Sequence, residues 1–304
     1  MTGNETIPLR VALEALSSDV QVLAGGTDFF PALSDRSAPP DVLDLGRVEG
    51  LRDIECTAAG WRIGAAVTWS ELVNADLPVA FDALKTAGKA VGSLQIQNAG
   101  TIGGNICNAS PAADGVPPLL CLDAQVQLAS AYKERTMPLT EFIRGPRSTV
   151  RQPDELLLAI IVPAVADNAR SCFFKLGARR YLVISIAMVS VQFALDEQEN
   201  FSEIRIAVGS CSAVARRLYA LENVLEGRSS SSDFLSLVTP DLLSTLEPID
   251  DLRSTASYRL HAAREIICRL LVSCVRSFPD VSAFSERSVN PNVVGQSRGR
   301  SGAP

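Results

Sequence analysis

Residues 100–114 read GTIGGNICNASPAAD, and this stretch carries the strongest signal in the chain. It holds three glycines, two asparagines, Thr101 and Ser110 within fifteen residues, between a predicted helix and a predicted strand. Such a loop offers many N–H and O–H donors with little side-chain bulk. This composition suits the binding of a pyrophosphate. A glycine-rich loop packed closely on neighbouring backbone would have the same composition.

A second glycine-containing segment, residues 22–28, reads VLAGGTD. An apolar strand there runs into two glycines, which allow successive backbone N–H groups to turn toward one point, and Thr27 adds a hydroxyl donor. The spacing is not GxGxxG, so the dinucleotide fingerprint of a Rossmann fold gains little support. Taken alone, the segment fits a tight turn without a ligand better than a binding site.

The composition argues against several classes of function. A formal net charge of −6 leaves no basic stripe for nucleic acid. The seven cysteines include no CxxC pair, which argues against an iron–sulfur or zinc site of the usual kind. A single histidine, His261, excludes a His-based triad or a multi-His metal site. We therefore expect no metal site and no catalytic side chain in this chain, and a cofactor would carry the chemistry.

The sequence contains no targeting signal that we identify. No apolar run approaches the ~20 residues that span a bilayer, and the opening MTGNETIPLR lacks the features of a signal peptide. We expect a cytoplasmic protein. The Gly/Ser/Pro-rich stretch 288–304 is expected to be a disordered tail.

Hydrophobic periodicity predicts an α+β chain with two domains, 1–168 and 169–280. In the first domain, short apolar runs at 20–24, 42–45, 61–65 and 126–129 predict strands. In the second, residues 185–195 and 203–211 alternate in polarity and predict an antiparallel sheet with one covered face. Ser212 is predicted to cap a helix that ends at Gly227.

Together, AGGTD (24–28) and TIGGNICNASPAAD (101–114) resemble the two flavin loops of the FAD-binding (medium) subunits of the molybdenum hydroxylases, the family of xanthine dehydrogenase and carbon monoxide dehydrogenase. Three later segments are also similar to that family: ELLL (155–158) followed by Pro163, FKLGARR (174–180) and DLRSTASYR (251–259). The resemblance covers about residues 5–280.

The resemblance implies a two-lobed, vanillyl-alcohol-oxidase-like (PCMH-type) FAD-binding domain, followed by a smaller C-terminal α+β domain with an antiparallel sheet and helices. FAD would be bound without a covalent link. Residues 23–28 and 101–105 would surround its pyrophosphate through backbone donors, Asp114 would bind ribityl or ribose hydroxyls, and Leu157 and Lys175 would lie at the flavin. The cofactor-binding residues implied in this way are Leu23, Ala24, Gly25, Gly26, Thr27, Asp28, Val91, Thr101, Ile102, Gly103, Gly104, Asn105, Ser110, Asp114, Leu157 and Lys175.

The resemblance also implies partners. In this family a molybdopterin centre hydroxylates the substrate, electrons pass through 2Fe–2S clusters, and FAD delivers them to NAD+, oxygen or a quinone. This chain lacks the cluster cysteines and the length of a molybdenum domain, so an iron–sulfur subunit and a molybdopterin-binding subunit are expected as partner chains. Two alternatives stay open: a stand-alone FAD-dependent oxidase or reductase, and a non-catalytic partner or nucleotide-binding module of the same fold.

Overall fold

The computed structural model describes residues 6–33, 39–179 and 183–276. Arg180 and the stretch 288–304, on which expectations were stated above, lie outside these residues. The helices and strands, in chain order, are α1 (Leu9–Glu14), β1 (Gln21–Leu23), α2 (Phe29–Leu33), β2 (Val42–Asp44), β3 (Ile54–Thr57), β4 (Gly60–Gly64), α3 (Trp69–Asn74), α4 (Asp82–Ala90), α5 (Leu94–Ala99), α6 (Ile102–Asn108), α7 (Val116–Cys121), β5 (Gln125–Ala129), β6 (Glu134–Pro138), α8 (Leu139–Phe142), β7 (Ile143–Gly145), β8 (Ser148–Thr149), β9 (Leu156–Pro163), β10 (Arg170–Leu176), β11 (Ala187–Leu195), β12 (Phe201–Gly209), β13 (Arg216–Arg217), α9 (Tyr219–Leu225) and α10 (Ala256–Arg276).

The first domain is built around a five-stranded antiparallel sheet with the order β3-β4-β9-β5-β6. Its central strand, β9, is buried on both faces, because alternate side chains enter different cores. Leu156 and Leu158 pack in one core with α1 and the parallel β1–β2 pair, whereas Leu157 and Ile160 pack in the other with α3, α6 and α7. These two cores form the two lobes, so the predicted two-lobed α+β architecture is confirmed.

Local sequence patterns account for the elements that were predicted in this domain. The strands expected at 20–24, 42–45, 61–65 and 126–129 are present as β1, β2, β4 and β5. Helix α3 begins with a capping box, in which Thr68 Oγ1 accepts from Glu71 N and the Glu71 carboxylate accepts from Thr68 N.

The C-terminal domain carries an antiparallel sheet with the order β10-β11-β12-β13. The strands expected at 185–195 and 203–211 correspond to β11 and β12. The expectation of a single covered face is wrong, since every residue of β11 is buried. Val189 and Val191 face the core shared with α10, while Met188 packs against Ala87 of α4 in the first domain. The sheet is therefore enclosed between its own helix and the first domain.

The helix predicted from Ser212 to Gly227 is shorter than expected. Arg216 and Arg217 form β13 against β12, which keeps the backbone extended, and α9 starts only at Tyr219. Ser212 does not cap a helix, because its hydroxyl accepts from Glu247 N in a neighbouring loop.

Polar contacts also join the two domains, beside the apolar packing of Met188 on Ala87. Ser171 Oγ on β10 donates to Ala80 O and accepts from Ala83 N at the start of α4, and Arg217 pairs with Asp123. Along the described segments, no helix is both long enough and apolar enough to cross a membrane.

Candidate cofactor site

A cleft of about 390 Å³ lies between the two lobes, a size within the range of small-molecule sites. One wall is the segment 24–29 after β1, and the other is α6 with the end of α5. The walls meet at Gly25, where an added Cβ would overlap the carbonyl oxygen of Ala99. Glycine is required at this position because backbone packs directly on backbone.

The first segment has the geometry of an anion site. Gly26 adopts a positive φ of 72°, and the turn leads into the short helix α2. In the described part of the chain, the N–H groups of residues 25–28 donate to no protein acceptor. Successive free N–H groups in such a turn form a concave surface of partial positive charge, which suits phosphate oxygens.

The second segment differs from the loop that was expected. Residues 102–108 form α6, with Thr101 as its N-cap, and Gly103 and Gly104 have ordinary helical φ values rather than positive ones. The expectation that residues 101–105 offer backbone donors to a pyrophosphate is not met for residues 102–105, whose N–H groups are already used within the protein, whereas Thr101 N–H has no acceptor among the described residues. The bonds are Ile102 N to Val67 O, Gly103 N to Ala65 O, Gly104 N to Thr101 Oγ1 and Asn105 N to Thr101 O.

The two glycines of α6 have different roles. A Cβ at Gly103 would lie 2.5 Å from Ala65 O and 2.7 Å from Ala65 Cβ, so this glycine permits close packing of α6 on the sheet. A Cβ at Gly104 would meet only Thr101 Oγ1 at 2.9 Å and Ala24 Cβ at 3.8 Å. Gly104 therefore leaves space in the cleft.

Asn105 provides a direct test of whether a polar ligand fits the cleft. Its Oδ1 atom is buried and accepts no hydrogen bond within the described residues, and Asn105 lines the cleft. A buried acceptor without a donor is costly. The atom is enclosed beside Gly115, so a hydroxyl or amino donor of a ligand such as a flavin dinucleotide would satisfy it after the amide turns toward the cleft.

The structure brings most of the sixteen predicted residues to this cleft. Ala24, Gly25, Gly26, Thr27, Asp28, Val91, Thr101, Gly103, Gly104, Asn105 and Leu157 line it. Five do not: Ile102 is fully buried in the apolar core, Leu23 lies in β1, Ser110 Oγ accepts from Ala112 N, and Asp114 and Lys175 contact each other.

Asp114 and Lys175 form a buried ion pair that crosses the domain boundary. Lys175 Nζ on β10 lies 2.6 Å from Asp114 Oδ2 and also donates to Ala90 O, while Ser185 Oγ donates to Asp114 Oδ1. Burial raises the pKa of Asp114 above the ordinary value, and the charge and hydrogen bond of Lys175 partly oppose that rise.

Several lining residues were missed by sequence reasoning. Burial raises the pKa of the Cys107 thiol to about 11, so it stays protonated and weakly nucleophilic near neutral pH. Arg151 precedes β9, and no pattern around it signalled a role in the cleft. A sequence signal did exist for Cys107, since it lies one helical turn beyond Gly103. The missed lining residues are Val22, Phe29, Leu45, Ala65, Trp69, Ile96, Gly100, Cys107, Asn108, Arg151 and Leu156.

The two-lobed fold, the cleft between the lobes and the attached sheet domain define a PCMH-type flavin-binding protein. Comparison with known families supports this class along the chain. Residues 7–165 match the family described as FAD binding domain in molybdopterin dehydrogenase, and residues 172–274 match the CO dehydrogenase flavoprotein C-terminal domain.

Individual relatives cover nearly the whole chain. The 6-hydroxypseudooxynicotine dehydrogenase complex subunit alpha of Paenarthrobacter nicotinovorans is 30% identical over 84% of this chain and 87% of its own. The xanthine dehydrogenase FAD-binding subunit of Escherichia coli O157:H7 is 28% identical over 89% and 94%. The solved carbon monoxide dehydrogenase of Hydrogenophaga pseudoflava superposes with a TM-score of 0.79, at 28% identity over 89% and 94%.

The chain therefore belongs to the FAD-binding subunits of the molybdenum hydroxylases, the family of xanthine and carbon monoxide dehydrogenases. Its enzymatic class is oxidoreductase.

Proposed function

We propose that this chain holds FAD non-covalently in the cleft and passes electrons from the 2Fe–2S clusters of a partner subunit to NAD+ or another acceptor. The observation that carries the proposal is that residues 25–28 line the cleft and that their N–H groups have no acceptor among the described residues, in a chain of this family. Bound FAD would supply the redox chemistry, since it can take up electrons and release them singly or in pairs.

Different residues of the cleft would bind different parts of the cofactor. The segment 25–28 would bind the diphosphate through its N–H groups, with Thr27 adding a hydroxyl. Asn105 Oδ1 would accept from a hydroxyl or amino group of the cofactor. Asp114 and Lys175 do not line the cleft, but their ion pair lies behind its Val91 side, since Lys175 donates to Ala90 O; the resemblance places Lys175 at the flavin and Asp114 at the ribityl or ribose hydroxyls.

The proposed partners follow from the relatives. Their names describe a dehydrogenase complex subunit and an FAD-binding subunit, which supports an assembly with separate iron–sulfur and molybdopterin-binding chains. The organic substrate would be hydroxylated on the molybdenum subunit. The role of this chain would be to position the flavin between the clusters and the electron acceptor.

Reconstitution tests the proposal. The FAD-loaded chain, combined with the iron–sulfur and molybdenum subunits and an organic substrate, should lose flavin absorbance near roughly 450 nm. The chain alone should not oxidise aldehydes, purines or N-heterocycles. NAD+, oxygen and a quinone, added separately to the reduced complex, would identify the acceptor by the rate at which the absorbance returns.

Two outcomes would contradict the proposal. Oxidation of an organic substrate by the isolated chain at the rate of the complex would show a stand-alone oxidase. A purified chain that stays colourless after addition of FAD would show a non-catalytic module.

A further inference from the structure

We propose that Arg151 is the cationic anchor of the cleft, where it compensates the negative charge of the FAD diphosphate. This inference rests on FAD binding in the cleft and is independent of the route that electrons take. It assigns a binding role to a residue outside the two glycine-containing segments.

A diphosphate brings about two negative charges into the cleft, and the protein must compensate them. The short helix α6 cannot do so through its N-terminus, because the N–H groups of residues 102–105 are already bonded within the protein. The free N–H groups of residues 25–28 supply only partial charges. A formal positive charge close to these groups is therefore needed.

The charges around the cleft leave Arg151 as the uncompensated cation. Arg135 pairs with Glu155 through Nε and Nη2, at 2.7 and 2.8 Å. Arg147 pairs with Asp28 at 3.7 Å. No carboxylate within the described residues lies in ion-pair distance of Arg151, which lines the cleft. Among the described residues that line the cleft, Arg151 is the only cation and Asp28 is the only carboxylate, and Asp28 already pairs with Arg147.

Glu155 forms no ion pair with Arg151 among the described residues, although the charge of Arg151 contributes to the lowered pKa of Glu155. Its carboxylate oxygens accept from Arg135 and from Gln152 N, and the hydrogen bond from Arg135 is the main reason that the pKa of Glu155 is lowered. Arg151 instead donates from Nη1 to two backbone carbonyls, Glu155 O at 2.7 Å and Gln152 O at 3.1 Å. Backbone acceptors therefore hold the guanidinium in place, and its Nε and Nη2 groups have no acceptor among residues 6–33, 39–179 and 183–276.

The position of Arg151 relative to the glycines also suits this role. Its charge acts on the Cys107 thiol, where it opposes the rise in pKa caused by burial. Cys107 follows Gly103 by one turn on α6 and lines the same cleft. A guanidinium fixed in advance loses little entropy when an anion binds, which favours affinity.

The test compares FAD affinity in the full-length chain, stripped of flavin, with Arg151→Gln, Arg151→Lys and the matched control Arg144→Gln on the exposed part of β7. FAD affinity should fall roughly ten- to hundredfold in Arg151→Gln, less in Arg151→Lys, and not in the control. The affinity of the wild-type chain should weaken as salt is added, and Arg151→Gln should lose most of that dependence. Riboflavin, which has no phosphate, should bind equally to all variants.

Equal FAD affinity in the wild-type chain and Arg151→Gln at every salt concentration would overturn the inference. So would an equal loss for FAD and riboflavin, because that pattern would indicate a distorted cleft rather than a lost charge. Electron delivery to an acceptor plays no part in these titrations, so failure of the proposed electron route would be seen separately.

Discussion

Lys175 Nζ lies 2.6 Å from Asp114 Oδ2, so an ammonium from the C-terminal domain and a carboxylate from the first domain form one buried ion pair. The two side chains are only 13% and 8% exposed. A buried pair contributes little net stability when intact, but removal of one partner leaves an uncompensated charge. The pair therefore makes domain association sensitive to substitution at either position.

Lys175→Met should destabilise the chain by about 3–5 kcal/mol near neutral pH, because Asp114 would lose its partner. The pKa of Asp114 is already raised by burial, and loss of Lys175 removes the main opposing influence, so it should rise further. A carboxyl group whose pKa is higher in the folded than in the unfolded chain stabilises the fold at pH values below its unfolded-state pKa. This stabilisation is lost as the pH rises through its folded-state pKa. The deficit in Tm relative to wild type should therefore grow as the pH is raised from mildly acidic to mildly alkaline conditions.

The double variant Lys175→Met with Asp114→Asn is the control for this measurement. It removes both charges, so most of the lost Tm and the added pH dependence should disappear. A Tm deficit in Lys175→Met that is constant with pH would show that Asp114 does not ionise in the folded chain.

Substitution by alanine should affect Tm and FAD affinity differently at the glycines of the two cleft walls. Gly25→Ala places a Cβ on the carbonyl of Ala99, so the lobes must separate and Tm should fall by several degrees. Gly104→Ala meets only Thr101 Oγ1 and Ala24, so the fold should survive while FAD affinity drops. Gly103→Ala should behave like Gly25→Ala, because it collides with Ala65. Thermal unfolding and FAD titration on each variant separate the two effects; unchanged FAD affinity in Gly104→Ala would remove that glycine from the site.

Thr101→Ala should lower the free energy of unfolding by about 1 kcal/mol, the usual cost of a lost N-cap. The same change frees Gly104 N, which Thr101 Oγ1 accepts from at 3.0 Å. Thr101→Ser retains the hydroxyl and should restore most of the stability. Denaturant titration of the flavin-free chain measures how much the N-cap contributes to the free energy of unfolding. An equal loss of this free energy in the serine and alanine variants would argue against a capping role for Thr101.

Acid precipitation should release all the flavin from the FAD-loaded chain. The only cysteine that lines the cleft in the described residues is Cys107, and its pKa of about 11 keeps the thiol protonated. Cys107→Ala should therefore leave the released fraction unchanged. Yellow colour that remains on the precipitated wild-type chain but not on Cys107→Ala would identify a covalent link at this residue.

Local patterns in the sequence were sufficient for the class of fold, and the resemblance of two segments to flavin loops indicated about half of the residues that line the cleft. Apolar strands separated by turns predicted β1, β2, β4 and β5, because strand formation depends on short-range alternation. Apart from Ile102, the glycine-containing segments 24–28 and 101–105 line the cleft, since residues without bulky side chains are required where backbone approaches backbone or a ligand.

Contacts between residues distant in sequence decided the rest. Composition suggested free N–H groups along residues 100–114, but α6 and its packing on Val67 and Ala65 use those of residues 102–105. Asp114 pairs with Lys175 because β10 of the C-terminal domain packs against the first domain. Arg151 acts on Cys107 because the residues before β9 lie beside α6. Sequence alone determined which polar groups exist near the cleft. Only the tertiary structure determined which of them are already paired, because that depends on distances that no short-range pattern encodes.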